Sequence, residues 1–468
     1  AHHPTPRGAP PKPSQPPRTI RASMSSDDEW QAPLSAALAE LDASKASWAS
    51  LGAGEMEAVL GRCVTTMTAA AEEWVERACE AKRIPPGTAA RGEEWSGGPY
   101  SVISAINALR RTLGAVAAGR SPLQGFPTRT VEGTPLPDGS GGTTRTPQQA
   151  VKVFPASTWD SMLLSGFEAE VWQHPSVTAE NQQERVASCL LRRPRAPGIA
   201  LVLGAGNVTS IPALDALYKL VAEGQVVLVK LNPFTDLILE PMLKGLAPLV
   251  ECGALRVVKG GGREGAWLCD HPSVDSLHIT GSGATHDVIV YGPGAEGAAR
   301  KAARNPRNPR RMTSELGCVG PTLVVPGGAW SAADLRFQAE HLVAQKLQNR
   351  GNNCIASQLI VLAEDWEHKD ELMRNVREVL TEVADVRPDW YGGVAQRRDA
   401  LVEGREDSCL QRFGAGGEVV VITGLRPGSG DRCFSSEVFA PVWGVVELPG
   451  VRTPEAFLTE AVRFANDE

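Results

Sequence analysis

The sequence predicts an α/β protein in which helices cover both faces of a parallel sheet, divided into more than one domain. Three observations carry this expectation. From Ile199 onward, short apolar strands alternate with helical patterns. Strand–helix–strand at that spacing calls for right-handed crossovers, and so for parallel neighbours. At 468 residues the chain exceeds what one compact core holds, which predicts two or three domains.

Composition narrows the function classes. The 42% hydrophobic and 22% charged content is that of an ordinary globular protein. A net charge of -7, with no basic stripe carrying interleaved aromatics, argues against a nucleic-acid partner. The longest apolar run, near Gly198 to Gly206, is far too short for a transmembrane segment. Nine scattered cysteines without CxxC pairs fit a reducing compartment better than a disulfide framework. Zinc spacing, HExxH and GxxxxGK[ST] are all absent, so no metal site is expected.

Taken in order, residues 1–23 hold seven prolines, four basic residues and no acid, which predicts a disordered or non-native tail. The tail reads either as an upstream artefact before Met24 or as the end of a transit peptide. Helical periodicity follows in Pro33–Ala46, Glu55–Ala81 and Val102–Ala118. Ser121–Thr146 is rich in Pro, Gly and Thr and reads as a loop or linker, most flexible at Asp138–Gly142. Residues 151–190 carry Trp159, Phe167 and Trp172 but no assignable period. Ile199–Leu203, Val226–Lys230, Leu255–Val258 and Val274–Ile279 read as strands. A helix closed by Gly224 and a second one, Pro241–Cys252, lie between them. Phe464–Glu468 follows a helical pattern with no closing strand, so the chain reads as truncated there.

The chemistry-bearing residues lie in six short stretches. Gly204-Ala205-Gly206 follows a strand, but Thr209 breaks the dinucleotide pattern GxGxxG, and the next strand ends in Lys230 rather than an acid. Gly260-Gly261-Gly262 and Thr280-Gly281-Ser282 are glycine turns of the kind that let backbone N–H groups approach a phosphate. Ser314-Glu315-Leu316-Gly317-Cys318 and Gly351-Asn352-Asn353-Cys354 place a glutamate before one glycine turn and a cysteine behind another. A thiolate can attack a carbonyl, and a carboxylate can then activate water. The last stretch is Glu437-Val438-Phe439-Ala440-Pro441-Val442. Singly, each has a plainer reading. Asn207 would be a turn or cap residue, Lys230 a solvated strand end, Glu315 a strand-edge charge and Cys354 a buried thiol. For the other eight cysteines the buried structural thiol is the expectation, Cys318 included.

Together, and in this order, the stretches resemble the aldehyde dehydrogenase superfamily, from about Pro197 to Pro441. The resemblance implies a Rossmann-type parallel-sheet cofactor domain over 24–314 and a second α/β catalytic domain over 315–468. It implies that Cys354 is the nucleophile, on a loop entering a helix, that the Asn207 amide meets the oxyanion, and that Glu315 is the hydrolytic base. Lys230 is expected on the adenine-ribose hydroxyls or a 2′-phosphate, and Gly261, Gly281 and Ser282 near the pyrophosphate. Glu437 is expected on the nicotinamide ribose and Phe439 beside the nicotinamide ring. Pro233 stands where many NAD-preferring relatives carry a glutamate, so both NAD and NADP are expected to be acceptable. Cys318-Val319 replaces a usual Gly-Lys pair, which marks a divergent member.

The implied activity is NAD(P)-dependent oxidation of a small-molecule aldehyde to an acid through a thiohemiacetal and a thioester. A CoA-acylating relative is one alternative, although such relatives often lack the glutamate. A non-catalytic nucleotide-binding or assembly protein is another. The resemblance further implies a homodimer or homotetramer when full length. The two readings of the tail leave the compartment open between the cytoplasm and a plastid or other organelle.

Overall fold

The computed structural model describes residues 29–137, 143–191, 195–451 and 453–468. The tail 1–23 and the stretch Asp138–Gly142 lie outside the described residues. Three long helices open the described chain, α1 (Gln31–Ser50), α2 (Ala53–Ala81) and α3 (Ser101–Ala117), with a short helix, Arg91–Trp95, before α3. Met56, Leu60, Cys63, Met67, Trp74 and Ala78 recur at three- and four-residue spacing on α2 and are buried on one face. The Glu55 carboxylate accepts the Gly52 N–H at 2.7 Å and so satisfies one of the free donors at the start of α2.

Ser121–Thr146 is not simply a loop. β1 (Thr128–Val131) pairs antiparallel with β2 (Gln148–Phe154), which pairs with β3 (Ala169–Trp172). A hairpin of Pro135–Pro137 with Thr143–Arg145 lies between β1 and β2. Polar residues hid these strands: β1 and β3 are largely solvent-facing, and β2, although its first half is buried, opens with two glutamines. Its outer segment exposes Trp159, Met162, Leu163, Phe167 and Trp172.

The first large sheet comprises β4 (Ile199–Leu203), β5 (Val226–Lys230), β6 (Leu255–Val258), β7 (Ser276–Gly281) and β8 (Arg311–Leu316). Every pairing is parallel, in the order β8-β7-β4-β5-β6. β4 and β5, joined through helix α4 (Ile211–Tyr218), are buried throughout, as strands covered on both faces must be. The chain runs from β4 outward to β6, then returns to the other side of β4 for β7. The carboxyl ends of β4 and β7 therefore flank a topological switch point, where such sheets open a crevice. The expected helix Pro241–Cys252 is divided into Leu239–Gly245 and Ala247–Glu251. Pro248 has no N–H to donate, and its ring opposes the carbonyl four residues earlier, at a cost of about 3 kcal/mol in an unbroken helix. Gly245 also lets this segment approach Met67 of α2 closely.

The second sheet holds β9 (Gly320–Leu323), β10 (Ser357–Ala363), β11 (Leu410–Phe413), β12 (Val419–Leu425) and β13 (Val442–Leu448). Its order is β9-β10-β13-β12-β11, with only the β11–β12 pair antiparallel. Each sheet has its own hydrophobic core. Only Gly317, Cys318 and Val319 separate β8 of the first sheet from β9 of the second. Among the described residues no helix is long and apolar enough to cross a membrane.

Candidate active site

The crevice at the switch point deepens into a cavity of about 760 Å³. The first sheet supplies Asn207 just after β4, Lys230 at the end of β5, Gly281 and Ser282 at the end of β7, and Glu315 on β8. Gly261 lies at the start of helix α5 (Gly262–Asp270). The second half of the chain contributes Cys354, Glu437 and Phe439. All nine residues singled out in the sequence thus line one space. This establishes their placement only.

Cys354 sits at the end of a strained corner. The helix α7 (Ala332–Leu347) stops at Leu347, and Asn349, Arg350 and Gly351 then adopt φ of 51°, 57° and 70°. The left-handed region costs a non-glycine residue roughly 1–2 kcal/mol. Hydrogen bonds to charged groups, worth about 1.5–3 kcal/mol each, can offset this. Asn349 donates its N–H to Glu93 Oε2 at 2.8 Å, and its Oδ1 accepts from Lys82 Nζ at 3.1 Å and from an Arg387 guanidinium nitrogen at 3.2 Å. Arg350 bonds Asp389 at 3.0 Å and the Ala384 carbonyl. Gly351 is required twice over: its φ is positive, and a Cβ would come within 2.7 Å of the Ala440 carbonyl oxygen.

Beyond the corner the structure corrects an expectation. Cys354 leads into β10, not into a helix. No helix N-terminus supports its thiolate, and burial pushes the thiol pKa up, with Glu437, Cys318 and Glu315 adding to the rise. Only its own backbone N–H favours the thiolate among the main influences. Cys318 is also not the buried thiol that was expected. It is exposed, and its Sγ donates to the Cys354 carbonyl at 3.3 Å. Cys189 and Cys252 are likewise exposed, whereas Cys63, Cys79, Cys269 and Cys433 are buried as expected.

Asn207 is buried, and its amide donates to the Asn352 carbonyl at 3.1 Å, which leaves its second N–H free for another acceptor. Glu315 is exposed on an edge strand, in register with Thr280. Glu437 is half-buried, and burial raises its pKa against the Cys318 N–H, Arg397 and Lys346. Its Oε1 is buried and lacks a hydrogen-bond partner. Gly317 carries no side chain where a Cβ would collide with this carboxylate. Phe439 packs edge-on against Tyr391 with ring centroids 5.3 Å apart, and the Arg397 guanidinium lies over both rings.

The far end of the cavity is built differently. Lys230 Nζ donates to the Gly260 carbonyl at 3.0 Å, and burial lowers its pKa. The Gly261 N–H donates to Glu264 Oε2 at 2.7 Å, so α5 begins with its own carboxylate in place. Ser282 caps helix α6 (Gly283–Tyr291), its Oγ accepting the Thr285 N–H at 3.2 Å. At Gly204 and Gly206 an added Cβ would strike Pro212 and Asn232, so packing of the turn alone requires glycine there. At Gly262 a Cβ would meet no protein atom within 4 Å, which leaves open space beside the cavity.

Sequence reasoning missed four residues. Tyr391 and Arg397 line the cavity but carry no motif. Lys346, fully buried eight residues before Cys354, has its pKa pushed down to about 7 by burial, with Glu437 opposing the fall. Asn349 lies two residues before the Gly351–Cys354 stretch, and nothing local signals that charged residues from the N-terminal helices reach it.

The aldehyde dehydrogenase family profile matches residues 163–389. An aminoacetaldehyde dehydrogenase of Pseudomonas aeruginosa is 30% identical over 241 residues, 47% of this chain and 42% of the relative. A D-glyceraldehyde dehydrogenase (NADP(+)) of Thermoplasma acidophilum is 26% identical over 217 residues, 42% of this chain and 41% of that one. The chain thus spans less than half the length of these two curated relatives. Among solved structures, the gamma-glutamyl-gamma-aminobutyraldehyde dehydrogenase of Burkholderia cenocepacia covers 93% of this chain and 74% of its own, with a TM-score of 0.61 at 19% identity. A mutant aldehyde dehydrogenase of Pseudomonas syringae, bound to NAD+ and octanal, covers the same shares with a TM-score of 0.60 at 16% identity. At such identities the structural likeness speaks for the fold, while the family profile and the curated relatives speak for descent. Together the family profile, the curated relatives and the fold support membership of the aldehyde dehydrogenase superfamily.

Proposed function

We propose that this protein oxidises an aldehyde to a carboxylic acid with NAD or NADP, using Cys354 as nucleophile. The observation that carries this reading is the single cavity. A thiol, a free amide N–H and a carboxylate gather at one end, and a lysine and two helix starts stand at the other. The residues fit a dinucleotide: Glu437 Oε1 is an acceptor without a donor, suited to a ribose hydroxyl, and Gly262 leaves open space where a phosphate needs room. Lys230, Gly261, Gly281 and Ser282 would hold the adenosine and pyrophosphate end. Glu437 and Phe439 would hold the nicotinamide end. When bound, the nicotinamide supplies the hydride acceptor.

The chain's own residues do the rest. The Cys354 thiol first loses its proton to solvent water; Sγ then bonds to the aldehyde carbon as the C=O π bond breaks, and the carbonyl oxygen becomes an oxyanion. The Asn207 amide and the Cys354 backbone N–H meet that oxyanion without titrating. Loss of hydride leaves an acyl thioester on Cys354. Glu315 then accepts a proton from water as the water oxygen attacks the acyl carbon, which releases the acid and restores the thiol. The solvent-exposed position of Glu315 on the cavity wall supports water, rather than CoA, as the acceptor. The raised pKa of Cys354 is the observation that favours a nucleotide-binding protein without chemistry. We also propose that the full-length protein is a homodimer or homotetramer, as the resemblance implies.

Single-turnover NAD(P)H formation with a panel of aldehydes decides between these readings. The parent should give a burst and Cys354→Ala none. A folded parent that binds nucleotide but gives no burst with any aldehyde would replace oxidation with nucleotide binding alone.

A further inference from the structure

A buried cluster of charges lies behind the Cys354 corner, outside the cavity. Lys82, at the end of α2, is 3% exposed, Glu94 is 2% exposed and Arg387, after helix α8 (Lys369–Val383), is 5% exposed. Lys82 Nζ lies 2.9 Å from Glu94 Oε2. Arg387 bonds Glu94 at 3.3 Å, Glu93 at 3.0 Å and the Ala90 carbonyl at 2.9 Å. Lys82, Arg387 and Glu94 are thus shielded from water, and the partly exposed Glu93 supplies the second carboxylate that balances the two cations.

The cluster has one neutral member, Asn349. Its Oδ1 is shared by Lys82 and Arg387, and its Nδ2 donates at 2.9 Å both to the Asn207 carbonyl and to the Asn352 carbonyl. The Asn352 carbonyl also accepts the Asn207 amide. One side of Asn349 is thus fixed by charges from the N-terminal helices and the second half of the chain. Its other side holds the two residues that set where the Asn207 amide points and where the chain turns towards Cys354. We infer that Lys82, Glu94, Arg387 and Asn349 form a positioning cluster that aligns the Asn207 amide with the Cys354 thiol, making the N-terminal helical layer part of the reactive machinery. The inference deepens the proposed oxidation and rests on it for what the alignment serves.

Asn349→Asp is the direct test. Asp tolerates the left-handed backbone and still accepts from Lys82 and Arg387, but it cannot donate to the Asn207 and Asn352 carbonyls. The burst rate should fall on the order of 100-fold, the size expected when reacting groups shift by about 1 Å. The Kd for NAD+ should stay within about twofold, because no residue placed on the cofactor is changed. Iodoacetamide alkylation of Cys354 should also slow. Arg387→Lys keeps the charge but loses the guanidinium fork, so it should fall between the parent and Arg387→Met. If Asn349→Asp does not fold, the Arg387 pair decides by the same readouts. A merely structural cluster would lower Tm and leave the rate per folded molecule at the parent value, and that result overturns the inference. Should the parent itself give no burst, the oxidation reading fails first, and the alkylation rates still decide whether the cluster positions the thiol.

Discussion

The two ends of the cavity are held by different means. At the reactive end, side chains from three parts of the chain converge: the N-terminal helices through Lys82 and Glu94, the first sheet through Asn207, and the second half through Asn349 and Cys354. Its backbone is strained, with Asn349, Arg350 and Phe439 all at positive φ. At the far end every contributing residue comes from the first sheet and its helices, and most polar contacts are local. Ser282 and Glu264 cap the helices they precede or begin, and Lys230 bonds a nearby carbonyl. The difference is the one the proposed reaction would require. Recognising a nucleotide needs glycine turns and helix starts, which a single sheet edge supplies. Bond-making needs atoms from separate elements fixed to within a fraction of an ångström, and that requires long-range, charge-assisted contacts.

The largest expected contrast comes from changing one carboxylate at each end. Glu315→Gln at the reactive end should permit the first turnover and then stall, with steady turnover down by about 10²–10⁴-fold, the usual contribution of a general base. Steady turnover at the parent rate would remove Glu315 from the mechanism. A smaller effect concerns pH. Because burial and nearby carboxylates hold the Cys354 thiol above its ordinary pKa, alkylation without cofactor should still be rising beyond about pH 8.5, the usual cysteine midpoint. A plateau below that pH would show a thiolate stabilised by something other than the groups described. The smallest change belongs to the far end. Glu264 carries its charge beside Lys230 and the start of α5, where repulsion would act on a 2′-phosphate. Glu264→Gln keeps a hydrogen-bond acceptor and should lower the Kd for NADP by about two- to fivefold with little change for NAD, the scale of one charge at a helix start. An unchanged ratio of the two constants would place the ribose elsewhere.

The same contrast explains what could be read in advance. The parallel strands after Ile199 were legible because burial on both faces writes a continuous apolar run. The far-end turns were legible because their contacts are local. Cys354 and Glu315 stood out by residue type, but the support behind Cys354 did not. Lys82 and Arg387 reach Asn349 from 267 and 38 residues away in sequence, and no period or spacing links them. The N-terminal helices therefore read as a plain helical layer. The strands β1 and β3 were missed because exposed, polar strands lack apolar alternation, and the break in the helix at Leu246 because the weight of its apolar pattern masked Pro248. The strand after Cys354 replaced an expected helix, and with it went the helix N-terminus that would have eased its ionisation.

The most direct measurement of the central claim is the mass of Glu315→Gln after incubation with NAD+ or NADP and an aldehyde that gives a burst with the parent. A stable gain equal to the acyl group, mapped to Cys354 and lost on treatment with hydroxylamine, is the predicted result. A protein that forms NAD(P)H yet carries no acyl group on Cys354 would contradict the account.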